Sequence, residues 1–430
     1  MNRKLLINYE DFVKIRMKSR KQFVYSPFAS TFKSARLSLG KTLLAVVGEI
    51  CSLSYVSKYE NNLLVPDENV LRVLFDNVGI NYDLLQACDM TNFLCDMIKA
   101  YLRNDYAQLK ELFEKAQSQY FIAQNALAIC FYYLAMEMYT ECAKEIEKID
   151  AVKSTLNDYQ ILVLGIVTTE FYIHTGRFEE AEQLLQVLKI MYKEYPEVKA
   201  LYNEERFIVA LTLKDHLHLL PYYHDLQGDY IYTYPLKKQI RNKMLYLETQ
   251  WEEDLAYEEI LAMKNDYIPE EYANDYLYST YLMMIRTHRE YELINHFHRL
   301  EDKTPALVAL FAMAVRTSND HPLVRPHYDT LIPEIQEELK QFVMDKMYQQ
   351  EIMLIKLLLL QMMDNHPLDI MDYMKAVILP YLQTHQHRVY TEYYVETYLN
   401  LLESCSRYKE AITFAKKYIR YVKNLNKDED

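Results

Sequence analysis

Thr42-Leu-Leu-Ala-Val-Val-Gly-Glu-Ile-Cys-Ser52-Leu-Ser-Tyr-Val-Ser-Lys-Tyr-Glu-Asn-Asn62 reads as two short helices joined by a tight turn. Thr42 is suited to cap the first, whose apolar positions are Leu43, Val46, Val47 and Ile50. Ser52 is suited to cap the second, expected from Leu53 to Asn61. In that second helix Val56 and Tyr59 share one face, Tyr55 stands at its edge, and Ser54, Ser57 and Lys58 lie off it. Upstream, Pro27 opens a helix bearing Phe28, Phe32, Ala35 and Leu39 at helical spacing, which Gly40 ends. Downstream, Pro66 precedes a helix with Val70, Leu71, Leu74 and Phe75 as its buried stripe. A second helix offering small polar residues and a cation from its first half has the shape and chemistry of a major-groove reader.

Composition supports an all-α chain. Of 430 residues half are apolar and a quarter charged, which excludes disorder, and the length suggests two to four packing units. Only six glycines occur, too few for a protein built of hairpin turns or phosphate-cradling loops. The net charge of −13 is uneven: residues 1–60 sum to +7 and the remainder to −20. A basic module on an acidic body suits nucleic-acid binding, because the body is repelled from the duplex and orients the module. The run Lys14 to Lys21 could be a DNA-reaching arm or a solvated basic helix.

On these residues the segment resembles the helix-turn-helix of XRE-type regulators, and within them the Rgg/MutR-like branch, over about sixty residues. The resemblance implies that Ser52, Ser54, Tyr55 and Lys58 face base edges. It implies phosphate contacts from Arg36, Lys41, Thr42 and Asn61, and gives Glu60 the task of fixing the following turn. Two departures stand out. Leu43 occupies a position where many XRE proteins carry glutamine, and Asn62 replaces the glycine that usually closes the recognition helix in a left-handed conformation.

From about residue 90 the chain reads as successive helical hairpins. Tyr172 to Ala181 has a late aromatic, a turn, an aromatic opening the next helix (Phe178) and a small residue three further on. Tyr133 to Cys142 and Leu402 to Ala411 repeat this pattern, with Tyr139 and Tyr408 as openers; Ile285 to Ile294, opened by Tyr291, is a weaker copy. Their spacing fits a period of about 38 residues, placing degenerate copies near 216, 253, 330 and 368. This resembles tetratricopeptide repeats, usually about 34 residues, in the lengthened form of peptide-sensing regulators. First helices line the concave face of such a solenoid. Counting back from each turn places Gln124, Phe131, Glu170, Tyr276, Met283, Arg286, Tyr393 and Asn400 there, as candidate contacts for an extended peptide. The forty tyrosines would suit such a groove, although an A·T-rich genome explains them as well.

Catalytic and metal signatures are missing from the sequence. The pairs His216/His218, His296/His298 and His385/His387 are two apart and point away from each other on a helix. No nucleophile elbow, phosphate loop or zinc-protease motif is found, so neither an enzyme nor a cofactor is expected. The six cysteines form no close pair, and no apolar run spans a bilayer; a reduced, cytoplasmic protein with no membrane segment is expected.

The expected fold is therefore all-α, a helix-turn-helix domain followed by a superhelical solenoid of helical hairpins. Its parts are a basic extension (1–26), the helix-turn-helix (27–86), a linker helix region (87–120) and a repeat domain for ligand binding and dimerisation (121–430). The implied partners are double-stranded DNA, a short peptide and a second copy of the chain. The alternative is a repeat scaffold for a protein partner, carrying a vestigial DNA-binding module.

Overall fold

The computed structural model describes residues 5–6, 8–19, 24–86, 93–117, 120–189, 191, 195–229, 236–264, 268–342, 349–363 and 365–422. Among the described residues every regular element is a helix. The chain divides into two compact units, Met1–Val209 with Gly228–Tyr234, and Ala210–Gln227 with Pro235–Asp430. The division therefore falls inside the stretch read as one repeat domain.

The first unit opens with α1 (Tyr9–Ser19), followed by the helix-turn-helix segment: α2 (Ala29–Ser38), α3 (Leu43–Val47), α4 (Leu53–Glu60), α5 (Glu68–Asp76) and α6 (Tyr82–Gln86). Both expected caps form: Thr42 Oγ1 accepts from Ala45 N–H at 3.3 Å, and Ser52 Oγ from Tyr55 N–H at 3.2 Å. The segment's core holds Phe32, Val46, Val47, Val56, Tyr59, Leu71, Leu74 and Phe75. Phe32 lies between the rings of Tyr59 and Phe75, with centroids 5.7 and 5.5 Å away. Two expected apolar positions fall outside this core. Leu39 and Ile50 are exposed because α2 stops at Ser38 and α3 at Val47, so each sits in a turn past the last residue that faces inward.

Hairpins follow. In the first unit α7 (Phe93–Leu102) pairs with α8 (Tyr106–Ala116), α9 (Ala123–Ala135) with α10 (Tyr139–Ala151), and α11 (Asp158–His174) with α12 (Phe178–Leu188). Helix α13 (Pro196–Thr212) runs across the division and α14 (His216–Asp229) follows it. The second unit continues with α15 (Leu236–Leu247) and α16 (Glu253–Ala262), α17 (Ala273–Arg286) and α18 (Glu290–Phe297), then α19 (Pro305–Thr317) and α20 (Tyr328–Phe342). After α21 (Gln349–Met362), α22 (Pro367–Tyr373) passes through a π-helical turn, Met374–Ile378, into α23 (Leu379–Leu382); α24 (Tyr390–Ser404) and α25 (Tyr408–Lys417) close the unit.

One turn recurs. Asn104, Glu137, Gly176, Lys214, His288 and Ser406 all adopt a left-handed backbone, with φ from +53° to +75°. The next residue's N–H then donates back to a carbonyl of the preceding helix, as Arg177 does to Tyr172 at 2.7 Å and Arg407 to Leu402 at 2.8 Å. This closes the helix and turns the chain. Second helices begin at 216, 253, 328 and 367, against expected positions of 216, 253, 330 and 368. The region read as a linker holds a hairpin with this same turn. In the weakest copy α18 begins at Glu290, one residue before Tyr291. The small residues Cys142, Ala181 and Ala411 are buried, whereas Tyr408, which opens α25, is 62% exposed.

Helix α1 docks one face against the hairpins of its own unit and keeps Lys14 and Lys18 exposed on the other. Tyr9 and Val13 are buried, the Tyr9 hydroxyl donates to the Ile161 carbonyl, and Arg16 reaches Asp158 Oδ1 at 3.2 Å. Gly165 on α11 makes room for this docking, since a Cβ there would meet Leu188 Cδ2 at 2.5 Å and the Tyr9 hydroxyl at 3.0 Å. The remainder of the basic run, Arg20 and Lys21, lies outside the described residues.

In the second unit Arg388, just before α24, makes a forked ion pair with Glu248 at the end of α15, at 2.9 and 3.1 Å. Ser279 on α17 donates to the same carboxylate at 2.6 Å. Lys214 and Glu392 add a second long-range pair at 2.7 Å.

Candidate nucleic-acid interface

Burial of Val56 and Tyr59 fixes the rotation of α4 and leaves its other side outward: Ser52, Ser54 and Lys58 are exposed, Tyr55 and Ser57 half-buried. At the end of α4 Asn62 adopts φ +52°, as its place in the closing turn requires, and Leu63 N–H donates to the Lys58 carbonyl at 2.8 Å. Lys41 and Thr42 are exposed at the start of the motif, and the Lys41 ammonium reaches the Asn77 carbonyl at 2.6 Å. Asn61 is half-buried, its amide donating to the Ser57 carbonyl at 2.8 Å.

Arg36 is engaged inside the fold. Its guanidinium grips Glu60 at 2.5 and 2.8 Å and donates to the Lys41 carbonyl at 2.8 Å, pinning α2 to the end of α4 and to the turn before α3. It is thereby held as a structural tie, and the buried Glu60 is the acid on which that tie closes. Leu43 packs against the core. The sequence reading overlooked Leu44 and Leu53, which are 69% and 45% exposed on the first turns of α3 and α4. Both fall outside the Val46/Val47 and Val56/Tyr59 pattern, which is the signal that could have marked them.

Side chains also bind this segment to the hairpins of its own unit. Thr31 donates to the Phe121 carbonyl at 2.7 Å, Lys33 to Ser154 Oγ at 2.6 Å, and the Asn62 amide to the Thr155 carbonyl. Asn62 Oδ1 meanwhile accepts from Ser26 N–H at 3.0 Å, so one fully buried amide holds three segments together.

No protein-family model matches this sequence, and no solved structure matches it. Among curated proteins, the transcriptional activator NprA of Geobacillus stearothermophilus is 23% identical over 405 residues, covering 87% of this chain and 98% of that protein. The similarity to NprA is thus not confined to one module.

The proposed groove residues separate into three groups. Phe131 and Met283 have no exposed surface and belong to the core, which corrects their assignment as ligand contacts: they lie on the inward side of α9 and α17. Glu170 and Tyr276 are nearly buried. Gln124, Arg286 and Tyr393 keep partial exposure and Asn400 is open. Arg286 binds Glu253 Oε1 at 2.6 Å and the Glu248 carbonyl, and the Tyr393 hydroxyl donates to Gln361 Oε1 at 2.8 Å. A cleft of about 540 Å³ in the second unit lies elsewhere, lined by Tyr223, Lys243, Tyr246, Trp251, Leu255 and Glu259 among others. None of the expected groove residues lines it. Among the described residues no helix is long and apolar enough to cross a membrane.

Proposed function

We propose that this chain is a transcription regulator that reads a two-fold operator in double-stranded DNA with α4, acts as a homodimer, and is controlled by a short peptide held against the first helices of its hairpins. The observation that carries the DNA reading is the outward face of α4, where Ser54 and Lys58 stand exposed on a helix whose opposite face is sealed in the core. Ser52, Ser54, Tyr55 and Lys58 would meet base edges, with the exposed Leu53 available to a thymine methyl group. Lys41, Thr42 and Asn61 would hold phosphates. The near-full-length similarity to a transcriptional activator supports the regulatory role. To act as a switch, the peptide must bind two arrangements of the chain with different affinity; equal affinity would move nothing.

Fluorescence anisotropy with the DNA upstream of the gene tests this reading. Affinity should fall steeply with salt, Lys41→Ala should lower the salt slope by about one, and Ser54→Ala should weaken preference for the cognate sequence about tenfold. Binding indifferent to salt and to both substitutions would favour the protein scaffold instead.

A further inference from the structure

Glu205, on α13, is 1% exposed, and neither of its carboxylate oxygens has a hydrogen-bond partner among the described residues. A buried acid in this condition is costly whichever form it takes: charged, it lacks solvation, and neutral, it wastes a donor. Around it, Glu170 on α11 and Glu204 on α13 are nearly buried. The Tyr101 hydroxyl, from α7, donates to Glu170 Oε2 at 3.3 Å and stands 3.2 Å from His174 Nε2. Burial, followed by the fields of Glu170, Glu204 and Glu205, pushes the Tyr101 phenol well above its ordinary range. Among the described residues no group of three or more His, Cys, Asp and Glu is placed to hold a metal ion. The two unpartnered oxygens of Glu205 suit an organic cation with several N–H donors on a compact head.

We propose that Glu205, with Glu170, Glu204 and Tyr101, receives a primary ammonium group, carried by the amino terminus or by a lysine of the bound peptide. The proposal rests on the peptide reading above and gives that ligand a chemical requirement. His174, the most exposed member of the cluster, marks the side from which the group enters. The arriving cation supplies the donors Glu205 lacks and displaces any proton the acid holds.

Two measurements on the full chain separate the site from the peptide. In the first, melting is followed in methylammonium chloride and in tetramethylammonium chloride at equal ionic strength, since only methylammonium carries N–H donors. Methylammonium should raise Tm above the tetramethylammonium value in the native chain, less so in Glu170→Gln, and not at all in Glu205→Gln. Equal melting in both salts, or an undiminished difference in Glu205→Gln, overturns the site. In the second, mixed-sequence synthetic heptapeptides are offered to the immobilised chain with free or acetylated amino termini, each with or without lysine. At least tenfold enrichment of the ammonium-bearing forms, lost in Glu205→Gln, supports the proposal, and the form retained tells amino terminus from lysine. Equal retention of the doubly blocked peptides overturns the ammonium site and leaves the peptide reading intact. Retention of no form, with the methylammonium effect present, overturns peptide carriage and leaves the site.

Discussion

Two cations in the same motif show how far a single residue's role can be read from its type. Lys58 and Arg36 are equally basic in the sequence, yet Lys58 projects outward from α4 while Arg36 is clamped on Glu60. Half-helical periodicity distinguishes inward from outward, but it cannot say which acid a long side chain will find across a turn. Arg16 on Asp158 and Lys33 on Ser154 are two more basic residues of 1–60 engaged within the fold. Glu205 gives a prediction at this scale. Burial first, then Glu170 and Glu204, raise its acid well above the ordinary value of 4.5. The unfolded chain releases that proton near the ordinary value and the folded chain keeps it to higher pH, so between the two the native state binds more protons and stability falls as pH rises. Tm of the native chain should fall as pH rises above the ordinary carboxylate range, and Glu205→Gln should flatten that fall. An unchanged slope in the variant would locate the dependence elsewhere.

Elements were more legible than residues, and the recurring turn explains why. A left-handed residue two positions after the first helix and a new helix two positions later fix the chain length of every such connection, so a period survives where side chains have drifted. Five of the six left-handed residues are not glycine, and their identities, Asn, Glu, Lys, His and Ser, share no motif that could have revealed the shared conformation. Such a residue costs about 1–2 kcal/mol there, partly offset in glycine by the entropy it loses on folding. Glu137→Gly should therefore stabilise the chain by about 0.5 kcal/mol in urea unfolding, and Glu137→Val should destabilise it by about 1 kcal/mol or more. The tie between α15 and α24 had no sequence signal, because its partners lie 140 residues apart. Arg388→Ala leaves the nearly buried Glu248 carboxylate without its main counter-charge and should cost about 3–5 kcal/mol, read as a lowered urea midpoint. A loss below about 1 kcal/mol would mean that Ser279 and water suffice to hold that charge.

For the molecule as a whole, the all-α class and the order of its parts were open to the sequence because both rest on periodicity and on scarce glycine. The division near residue 210 was not, since no composition shift or proline-rich stretch marks it and a helix continues through it. Nor was the seating of the helix-turn-helix segment, which depends on one asparagine: the side chain of Asn62 spans Ser26 and Thr155 while its backbone makes the left-handed turn. With Thr31 and Lys33 anchored beside it, the motif has no slack tether to its hairpins. On the proposed function, a motif mounted without play cannot swivel to follow misplaced half-sites. On the proposed dimeric reading, one base pair inserted between operator halves turns one half about 34–36° around the duplex axis, and affinity should collapse; a full turn of about 10 base pairs should not rescue it. Gel-shift titration across a spacer series measures this directly. A broad tolerance of spacing would mean that the anchored amide lets go when DNA is bound.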